Sequence, residues 1–341
     1  MNDKLHLDDT VSALTDEQFA GQRMIVGFDG TEFNEDLEFL IRDLKVGGII
    51  LFARNIVTPD QVGNLCGDVQ AFAKKCEQPA LFIAIDQEGG VVSRLKEPFT
   101  QFPLGNPGMK KVEDAIEFAR ITSDELNGIG VNMNMAPVID VQPVGFDSVM
   151  AKRVFPGDEK FIAEMGSAMI SEFQRNGIMA VAKHFPGIGR TTLDSHLTLP
   201  ELDCDYEKFQ KSDLLPFKKS ISHNVAGMMM SHIQYNFIDS DWPASLSVKV
   251  VKDLLRSKLN YQGVVMTDDL DMKAVKTDIE TSVKRIIEAE VDIALICHKG
   301  DDIENAFELF LSNIKSTDEN RLYCRKSVER VLSLKRKFQL A

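Results

Sequence analysis

Short apolar runs alternate with longer amphipathic segments along most of this chain. Most of the runs are continuously apolar rather than alternating, which is typical of strands whose two faces are both covered. We therefore predict eight buried strands, at Met24–Gly30, Gly47–Arg54, Leu81–Asp86, Val131–Asp140, Met179–His184, Gly227–His232, Gly263–Asp268 and Asp292–His298.

The segments between the runs carry the spacing of amphipathic helices, the first of them over residues 37–44. A capping box from Thr15 to Gln18 predicts the start of an N-terminal helix, and Thr58 followed by Pro59 predicts the start of another. Further helices are predicted at Val112–Leu126, Glu159–Arg175, Tyr206–Ser222, Val248–Leu259, Ile279–Glu288, Ile303–Ile314 and near Asn320–Phe338.

This alternation contains no linker, low-complexity tract or other repeat, so we predict a single domain over residues 1–341. Eight β/α units favour an α/β fold of the (β/α)8 TIM-barrel type, with an open doubly wound sheet as the alternative. The polar residues that end the strands favour the barrel, because its C-terminal rim would gather them. They are Arg54, Asp86, Asp140, Lys183, His184, His232, Asp268 and His298. Loops begin at strand ends and are polar anyway, but this explains less well why charged and imidazole side chains recur there.

The composition narrows the class of protein. A net charge of -13 over 341 residues argues against nucleic acid or an anionic membrane as the main partner. Residues 1–18 are polar and acidic, and no apolar run approaches the length of a membrane span. The five cysteines are scattered without a C-x-x-C pair, which indicates neither a disulfide framework nor a zinc site. A reducing, cytoplasmic location is the simplest interpretation.

The segment from Lys183 to Pro200, K-H-F-P-G-I-G-R-T-T-L-D-S-H-L-T-L-P, concentrates the candidate chemistry. Asp194 stands two residues before His196, close enough to hydrogen-bond the imidazole and raise its basicity. A histidine in that setting can carry a proton at neutral pH. A solvated surface loop is the alternative, but the convergence of Lys183, His184, Asp194 and His196 on one loop favours a functional site.

These residues supply the two parts that displacement at an acetal carbon requires, a carboxylate nucleophile and a proton donor for the leaving oxygen. Asp268 ends the most apolar late strand and is the expected nucleophile, and the Asp194–His196 unit is the expected donor. The neighbouring Asp269 should point differently and serve a structural role, such as capping the next helix. A histidine donor departs from the usual second carboxylic acid.

Other residues on the rim are suited to binding hydroxyl or carbonyl oxygens. Asp86 can accept hydrogen bonds from two hydroxyls, and the glycines at 89–90 should allow the backbone to approach a ligand closely. The expected donors are Arg94, Arg153, Lys183 and His184. Taken singly, each of these is at least as well explained by an ordinary salt bridge.

A set of short motifs follows one order between about Gln22 and Leu270. They are G-G-I-I-L-F-A-R-N at 47–55, I-D-Q-E-G-G at 85–90, N-M-A-P-V-I-D-V at 134–141, K-R-V-F at 152–155, K-H-F-P-G at 183–187, D-S-H at 194–196, M-M-S-H at 229–232, P-A-S at 243–245 and M-T-D-D-L at 266–270. With this set the chain resembles glycoside hydrolase family 3, in its short single-domain branch of bacterial β-N-acetylglucosaminidases (β-hexosaminidases) that recycle peptidoglycan.

The resemblance implies a (β/α)8 barrel and a retaining, two-step mechanism without metal or other cofactor. By motif, Asp268 would be the nucleophile, His196 the acid/base and Asp194 its partner. The terminal N-acetylglucosamine would be held by Asp86, Arg94, Arg153, Lys183 and His184. Larger members take their acid/base from a second domain, for which this sequence leaves no room. The implied partner is a small carbohydrate, and no protein partner is indicated.

This chain departs from the family pattern at two positions. Ile188 stands where the family usually has a second histidine, and Val91 where it usually has an arginine. Ile188 lies in the catalytic loop, so either the dynamics or the hydrogen bonding of that loop should differ. Val91 should alter the packing around the glycine turn or contacts with the aglycone. Both bear on substrate detail more than on the type of reaction.

Other functions are compatible with the sequence. A metal-dependent hydrolase on the same fold could use His184, His232, Asp268 and His298, although the first strand lacks the usual His-x-His. A barrel that only binds amino sugars would be expected to lack Asp268, Asp194 or His196. Within the same family, the alternatives are a β-glucosidase and a phosphorylase, in which phosphate attacks in place of water.

Overall fold

Eight parallel strands close into a barrel in the computed structural model, which describes residues 11–192, 199–272 and 277–340. They are β1 (Met24–Val26), β2 (Gly48–Leu51), β3 (Phe82–Ile85), β4 (Met133–Asn134), β5 (Met179–Phe185), β6 (Gly227–Met230), β7 (Val264–Asp269) and β8 (Ile293–Ile296). Each strand pairs with the next along the chain, and β1 pairs with β8. The prediction of a closed TIM-type barrel is confirmed, and the open-sheet alternative is wrong.

Strand β4 is much shorter than the predicted Val131–Asp140. Regular pairing stops at Asn134. Its side-chain amide takes the place of further pairing, because Oδ1 accepts from the Gln87 N–H (3.0 Å) and Nδ2 donates to the Gln87 carbonyl (3.0 Å). Pro137 has no N–H with which to continue a ladder. Beyond it the chain still runs beside β5, since Ile139 donates to the carbonyl of Lys183. Asp140 therefore reaches the same rim as the end of β5.

The helices that cover the barrel are α1 (Asp16–Gly21), α2 (Glu35–Arg42), α3 (Pro59–Lys75), α4 (Val112–Gly128), α5 (Glu159–Arg175), α6 (Tyr206–Lys211), α7 (Leu214–Ser222), a helix with i to i+5 hydrogen bonds (Lys249–Lys258), α8 (Ile279–Glu288), α9 (Asp301–Ser316) and α10 (Asp318–Lys337). The predicted capping box is present, because Thr15 Oγ1 accepts from the Gln18 N–H and the Gln18 side chain accepts from the Thr15 N–H. Thr58 caps α3 as predicted.

The single helix predicted over residues 206–222 is two helices, α6 and α7. Pro216 lies in the first turn of α7, the part of a helix where a missing N–H is tolerated, and could not lie in a helix interior. At the break, Asp213 is buried and accepts from Arg190 Nε at 2.9 Å. The periodicity of apolar residues continues across both helices and does not reveal the break.

Two layers of apolar side chains form the core, one between the strands and the helices and one inside the barrel. Ile50, Met229 and Leu295 of the inner layer also line a cavity at the C-terminal rim. The interior is therefore packed up to the floor of that cavity, as is usual for this fold. Among the helices of the described residues, none combines the length and the apolar character that a membrane span requires.

Candidate active site

A cavity of about 300 Å³ lies at the C-terminal ends of the barrel strands. It brings together six of the predicted site residues, Asp86, Arg94, Arg153, Lys183, His184 and Asp268. Asp194 and His196, the predicted proton donor and its partner, lie outside the described residues. Thr191, which precedes them in the sequence, lines the cavity.

An ionic network forms one side of the cavity, with Lys183 between two carboxylates. Lys183 Nζ lies 2.7 Å from Asp86 Oδ1 and 2.7 Å from Glu88 Oε1. Arg94 Nη2 donates to Asp86 Oδ2 at 3.2 Å. Arg153 binds Glu88 with two hydrogen bonds, of 3.0 and 2.8 Å. Four of the predicted oxygen-binding side chains, Asp86, Arg94, Arg153 and Lys183, are thus joined with Glu88 in one network of salt bridges, which fixes their positions before any ligand binds.

The electrostatics of this network keep Asp86 ionised. Burial alone would raise the pKa of its carboxyl, but the charges of Lys183 and Arg94 outweigh burial and hold that pKa well below its usual range. The carboxylates Asp86 and Glu88 together raise the pKa of Lys183, against the effect of its own burial. Asp86 can therefore act only as a hydrogen-bond acceptor, to which the hydroxyl of a ligand could donate.

Glu88 belongs to this site, although we did not predict it from the sequence. It is almost fully buried, with 3% of its side chain exposed. Side chains two residues apart on an extended segment point to the same side, so the placement of Asp86 on the rim already implies that Glu88 points there too. Gln87 points the other way and bonds Ser93 and the backbone of Arg94.

The glycines after Glu88 are required by the turn that they form. Gly89 and Gly90 form the turn of a short hairpin (Gln87–Gly89 with Val92–Ser93), with φ of 77° and 62°. A Cβ on either would press against the backbone of Leu104 or Gly105, at 3.1–3.2 Å. The close approach is therefore to the protein's own chain.

His184 is oriented by Asp140, which is fully buried. His184 Nδ1 lies 2.9 Å from Asp140 Oδ2, and its Nε2 lies 3.4 Å from Arg153 Nη2. Since a guanidinium only donates, Nε2 must accept and Nδ1 must carry the hydrogen. Asp140 also accepts from the Ile188 N–H at 2.8 Å and so fixes the start of the loop that follows β5. The sequence placed Asp140 at a strand end without assigning it this role.

The two departures from the family pattern lie in different surroundings. Ile188 is 6% exposed and lines the cavity, where its side chain adds apolar surface. Its backbone bond to Asp140 holds the loop without a side-chain hydrogen bond. Val91 is 63% exposed at the hairpin turn, and the neighbouring Val92 lines the cavity in its place.

Asp268 and Asp269, which end β7, both line the cavity. Asp268 Oδ1 accepts from the Asp269 N–H at 2.9 Å. The carboxylate of Asp269 accepts from the N–H groups of Cys297 (3.0 Å) and Asp271 (3.1 Å), which ties β7 to the end of β8. The expectation that Asp269 caps the next helix is wrong, because Asp278 caps α8.

Burial, together with the nearby charge of Asp271, raises the pKa of Asp269 to about 6. The ordinary value is 3.8, so the folded state favours the protonated carboxyl and loses stability as the pH rises through 6. A pKa difference of this size changes the free energy of unfolding by at most about 3 kcal/mol.

Asp269→Asn removes the charge and keeps an oxygen acceptor, so it should stabilise the protein by about 1–3 kcal/mol at pH 7.5. Near pH 4 the gain should almost vanish. Urea unfolding of the parent and the variant at the two pH values measures both differences. An equal difference at the two pH values would mean that the Asp269 charge does not cause it.

Among the strand-end residues, Arg54, Asp140, His232 and His298 do not line the cavity, and two of them, Arg54 and His298, are held by loop contacts. Arg54 donates to the carbonyls of Phe28 and Cys297 and stacks on Phe52. His298 is 66% exposed and lies beside Asp271, with its Nδ1 3.2 Å from a carboxylate oxygen. Loop packing accounts for both.

The alternative metal set is not assembled. In the part of the chain that the structure describes, the group of three His, Cys, Asp or Glu residues whose ligand-type atoms all lie within 4.8 Å of one another is Asp269, Asp271 and His298. His184 is bonded to Asp140, and His232 Nδ1 and Nε2 lie 2.7 Å from Ser245 Oγ and 2.9 Å from the Asp269 carbonyl. These bonds occupy the imidazole nitrogens that such a centre would need.

Comparison with known families agrees with this geometry. Residues 8–334 match the model of the glycosyl hydrolase family 3 N terminal domain. The chain belongs to this family. The resemblance that the motifs indicated is therefore confirmed.

Among relatives, beta-hexosaminidase A of Pseudoalteromonas piscicida is 36% identical over 83% of this chain and 54% of its own length. A beta-hexosaminidase of Nitrosomonas eutropha is 31% identical over 88% of this chain and 87% of its own. A solved family 3 beta-N-acetylglucosaminidase from Paenibacillus sp. has a TM-score of 0.92 and 35% identity, covering 96% of this chain and 63% of that one. The chain thus spans only about half to two thirds of the Pseudoalteromonas and Paenibacillus proteins.

Proposed function

We propose that this chain is a retaining glycoside hydrolase that releases terminal β-linked N-acetylglucosamine, with peptidoglycan fragments as natural substrates. The observation that carries the proposal is that Asp268 shares one small cavity with the network of Asp86, Glu88, Lys183 and Arg153. The nucleophilic carboxylate is one of the two parts that the reaction requires, and the network would hold the sugar beside it by its hydroxyls. The names of its family 3 relatives support the same substrate.

The size and lining of the cavity favour one amino sugar. Its volume of about 300 Å³ is at the low end for small-molecule sites and suits one sugar ring. The ionised Asp86 would accept from ring hydroxyls. Val149, Met150 and Ile188 give the cavity an apolar wall that would suit the methyl group of an N-acetyl substituent better than a hydroxyl.

The proposed reaction has two steps. Asp268 attacks the anomeric carbon, the bond to the leaving oxygen breaks, and His196, polarised by Asp194, gives that oxygen a proton. His196 then takes a proton from water, the water oxygen attacks the same carbon, and Asp268 departs. Two inversions leave the β configuration unchanged.

We further propose that residues 1–341 act as one catalytic domain in the cytoplasm. All five cysteines are free thiols, as is usual for proteins in a reducing compartment. Peptidoglycan fragments taken up for recycling would meet the enzyme there.

The function can be tested with a pair of chromogenic glycosides. The 4-nitrophenyl β-N-acetylglucosaminide should be turned over with a kcat/KM at least about tenfold above that of the β-glucoside, because the acetamido group supplies contacts that a hydroxyl cannot. Assays with and without phosphate should give the same rate and free N-acetylglucosamine. Preference for the glucoside, or sugar 1-phosphate as product, would establish one of the other family 3 activities instead.

A further inference from the structure

A side chain holds the end of β7 at the point where its regular pairing with the neighbouring strands is interrupted. Regular pairing of β7 with β6 ends at Thr267, opposite Met230. On the other side, the register with β8 shifts between Met266 and Asp269. Asp268, the proposed nucleophile, therefore lies in the irregular stretch before Asp269 pairs with Leu295, and other contacts help to define its position.

His232, which follows β6, supplies such a contact. Its Nε2 lies 2.9 Å from the carbonyl oxygen of Asp269, and its Nδ1 lies 2.7 Å from Ser245 Oγ. On the opposite side of the same peptide group, the Leu270 N–H donates to the carbonyl of Leu295 at 2.9 Å. The peptide group after Asp269 is thus fixed between β6 and β8.

The direction of these bonds follows from their chemistry. A carbonyl oxygen only accepts, so His232 Nε2 must carry a hydrogen and donate it. In the neutral imidazole Nδ1 then accepts from the Ser245 hydroxyl. Burial lowers the pKa of His232, in spite of the nearby Asp268 charge, which favours this neutral form. His232 and Ser245 are both buried.

The last link reaches the nucleophile. The Asp269 N–H donates to Asp268 Oδ1 at 2.9 Å, and no other hydrogen bond to the Asp268 side chain is made by the described residues. A carboxylate with one oxygen bound and the other free presents a defined oxygen to its substrate. Displacement of a reacting atom by about 1 Å can cost a hundredfold in rate.

We propose that His232 is a positioning residue for the reaction, which acts through the main chain of Asp269 to hold Asp268 with Oδ1 bound and Oδ2 free to attack. The proposal rests on the proposed function, because it assigns Asp268 as the nucleophile. Ser245 has the supporting role of fixing the imidazole tautomer. The relay uses the backbone of Asp269 and not its carboxylate.

The test compares His232→Gln with His232→Met, using the proposed substrate and the full chain. Glutamine can place an N–H donor close to the position of Nε2, whereas methionine fills the same space without a donor. His232→Met should lower kcat about 10- to 100-fold with KM nearly unchanged, and His232→Gln should recover most of the loss. Leu254→Ala, a buried change away from the cavity, is the control for lost stability, with all assays run below the unfolding transition.

A second measurement does not depend on turnover. In ¹⁵N NMR spectra at pH 7, the His232 ring should show a protonated Nε2 and an unprotonated Nδ1, assigned by the signal that is lost in His232→Gln. An Nδ1–H tautomer, whose Nε2 has no hydrogen to donate, would overturn the proposal.

The kinetic outcomes separate the two claims. Equal losses in the methionine and glutamine variants, a rise in KM without a fall in kcat, or full activity of His232→Met would each overturn the positioning role. If the parent protein does not hydrolyse β-N-acetylglucosaminides, the proposed function fails, and the NMR tautomer still decides whether His232 donates to the Asp269 carbonyl.

Discussion

Asp268→Asn should reduce the turnover of a β-N-acetylglucosaminide by about 10⁴-fold or more, because the amide cannot form the glycosyl-enzyme. The asparagine side chain keeps the shape of the aspartate and an oxygen that can accept from the Asp269 N–H. Folding should therefore be preserved, and the loss should appear in kcat. Steady-state kinetics together with the circular dichroism spectrum of the variant check this result.

The matched control is the adjacent carboxylate. Asp269→Asn should retain far more activity than Asp268→Asn, since the Asp269 side chain ties β7 to β8 and its oxygen acceptor is kept. If the two losses are reversed, Asp269 is the nucleophile and the assignment of the pair is wrong.

The second large effect is expected at the proton donor. His196→Ala should lower kcat/KM for a natural disaccharide by about 10²–10⁴-fold, because a sugar hydroxyl leaves poorly without a proton. The loss on an activated aryl glycoside should be much smaller, since that leaving group needs little help. Asp194→Ala should follow the same leaving-group pattern.

Asp86→Ala is the control for this comparison. Its contacts with ring hydroxyls do not depend on the aglycone, so it should lower kcat/KM for both substrates alike. Equal losses on both substrates in His196→Ala would show that the histidine binds or positions the sugar and that another group donates the proton.

The barrel could be predicted because its signal is local. Most buried strands are short apolar runs that end in a polar residue, and eight β/α units with such ends favour a closed barrel over an open sheet. The same rule placed Asp86, Lys183 and Asp268 on one rim. In the structure these three residues line one cavity.

The rest depends on contacts that no local pattern encodes. The pairing of Lys183 with both Asp86 and Glu88 joins residues almost a hundred positions apart, so the sequence shows the charges and not their partners. The sequence placed Asp140 at the end of a strand. Its hydrogen bonds with His184 and Ile188, however, depend on the irregular path of the chain after β4, which the sequence pattern does not show. Arg54 and His298 show the converse error, since a polar strand end can face a loop as well as the cavity.

The central claim is tested most directly by the configuration of the first product. Purified protein is mixed with an aryl β-N-acetylglucosaminide, and ¹H NMR spectra are recorded before mutarotation mixes the anomers. A double displacement through Asp268 predicts that β-N-acetylglucosamine forms first and that the α-anomer grows only later. An initial α-anomer would show direct attack by water and contradict the mechanism.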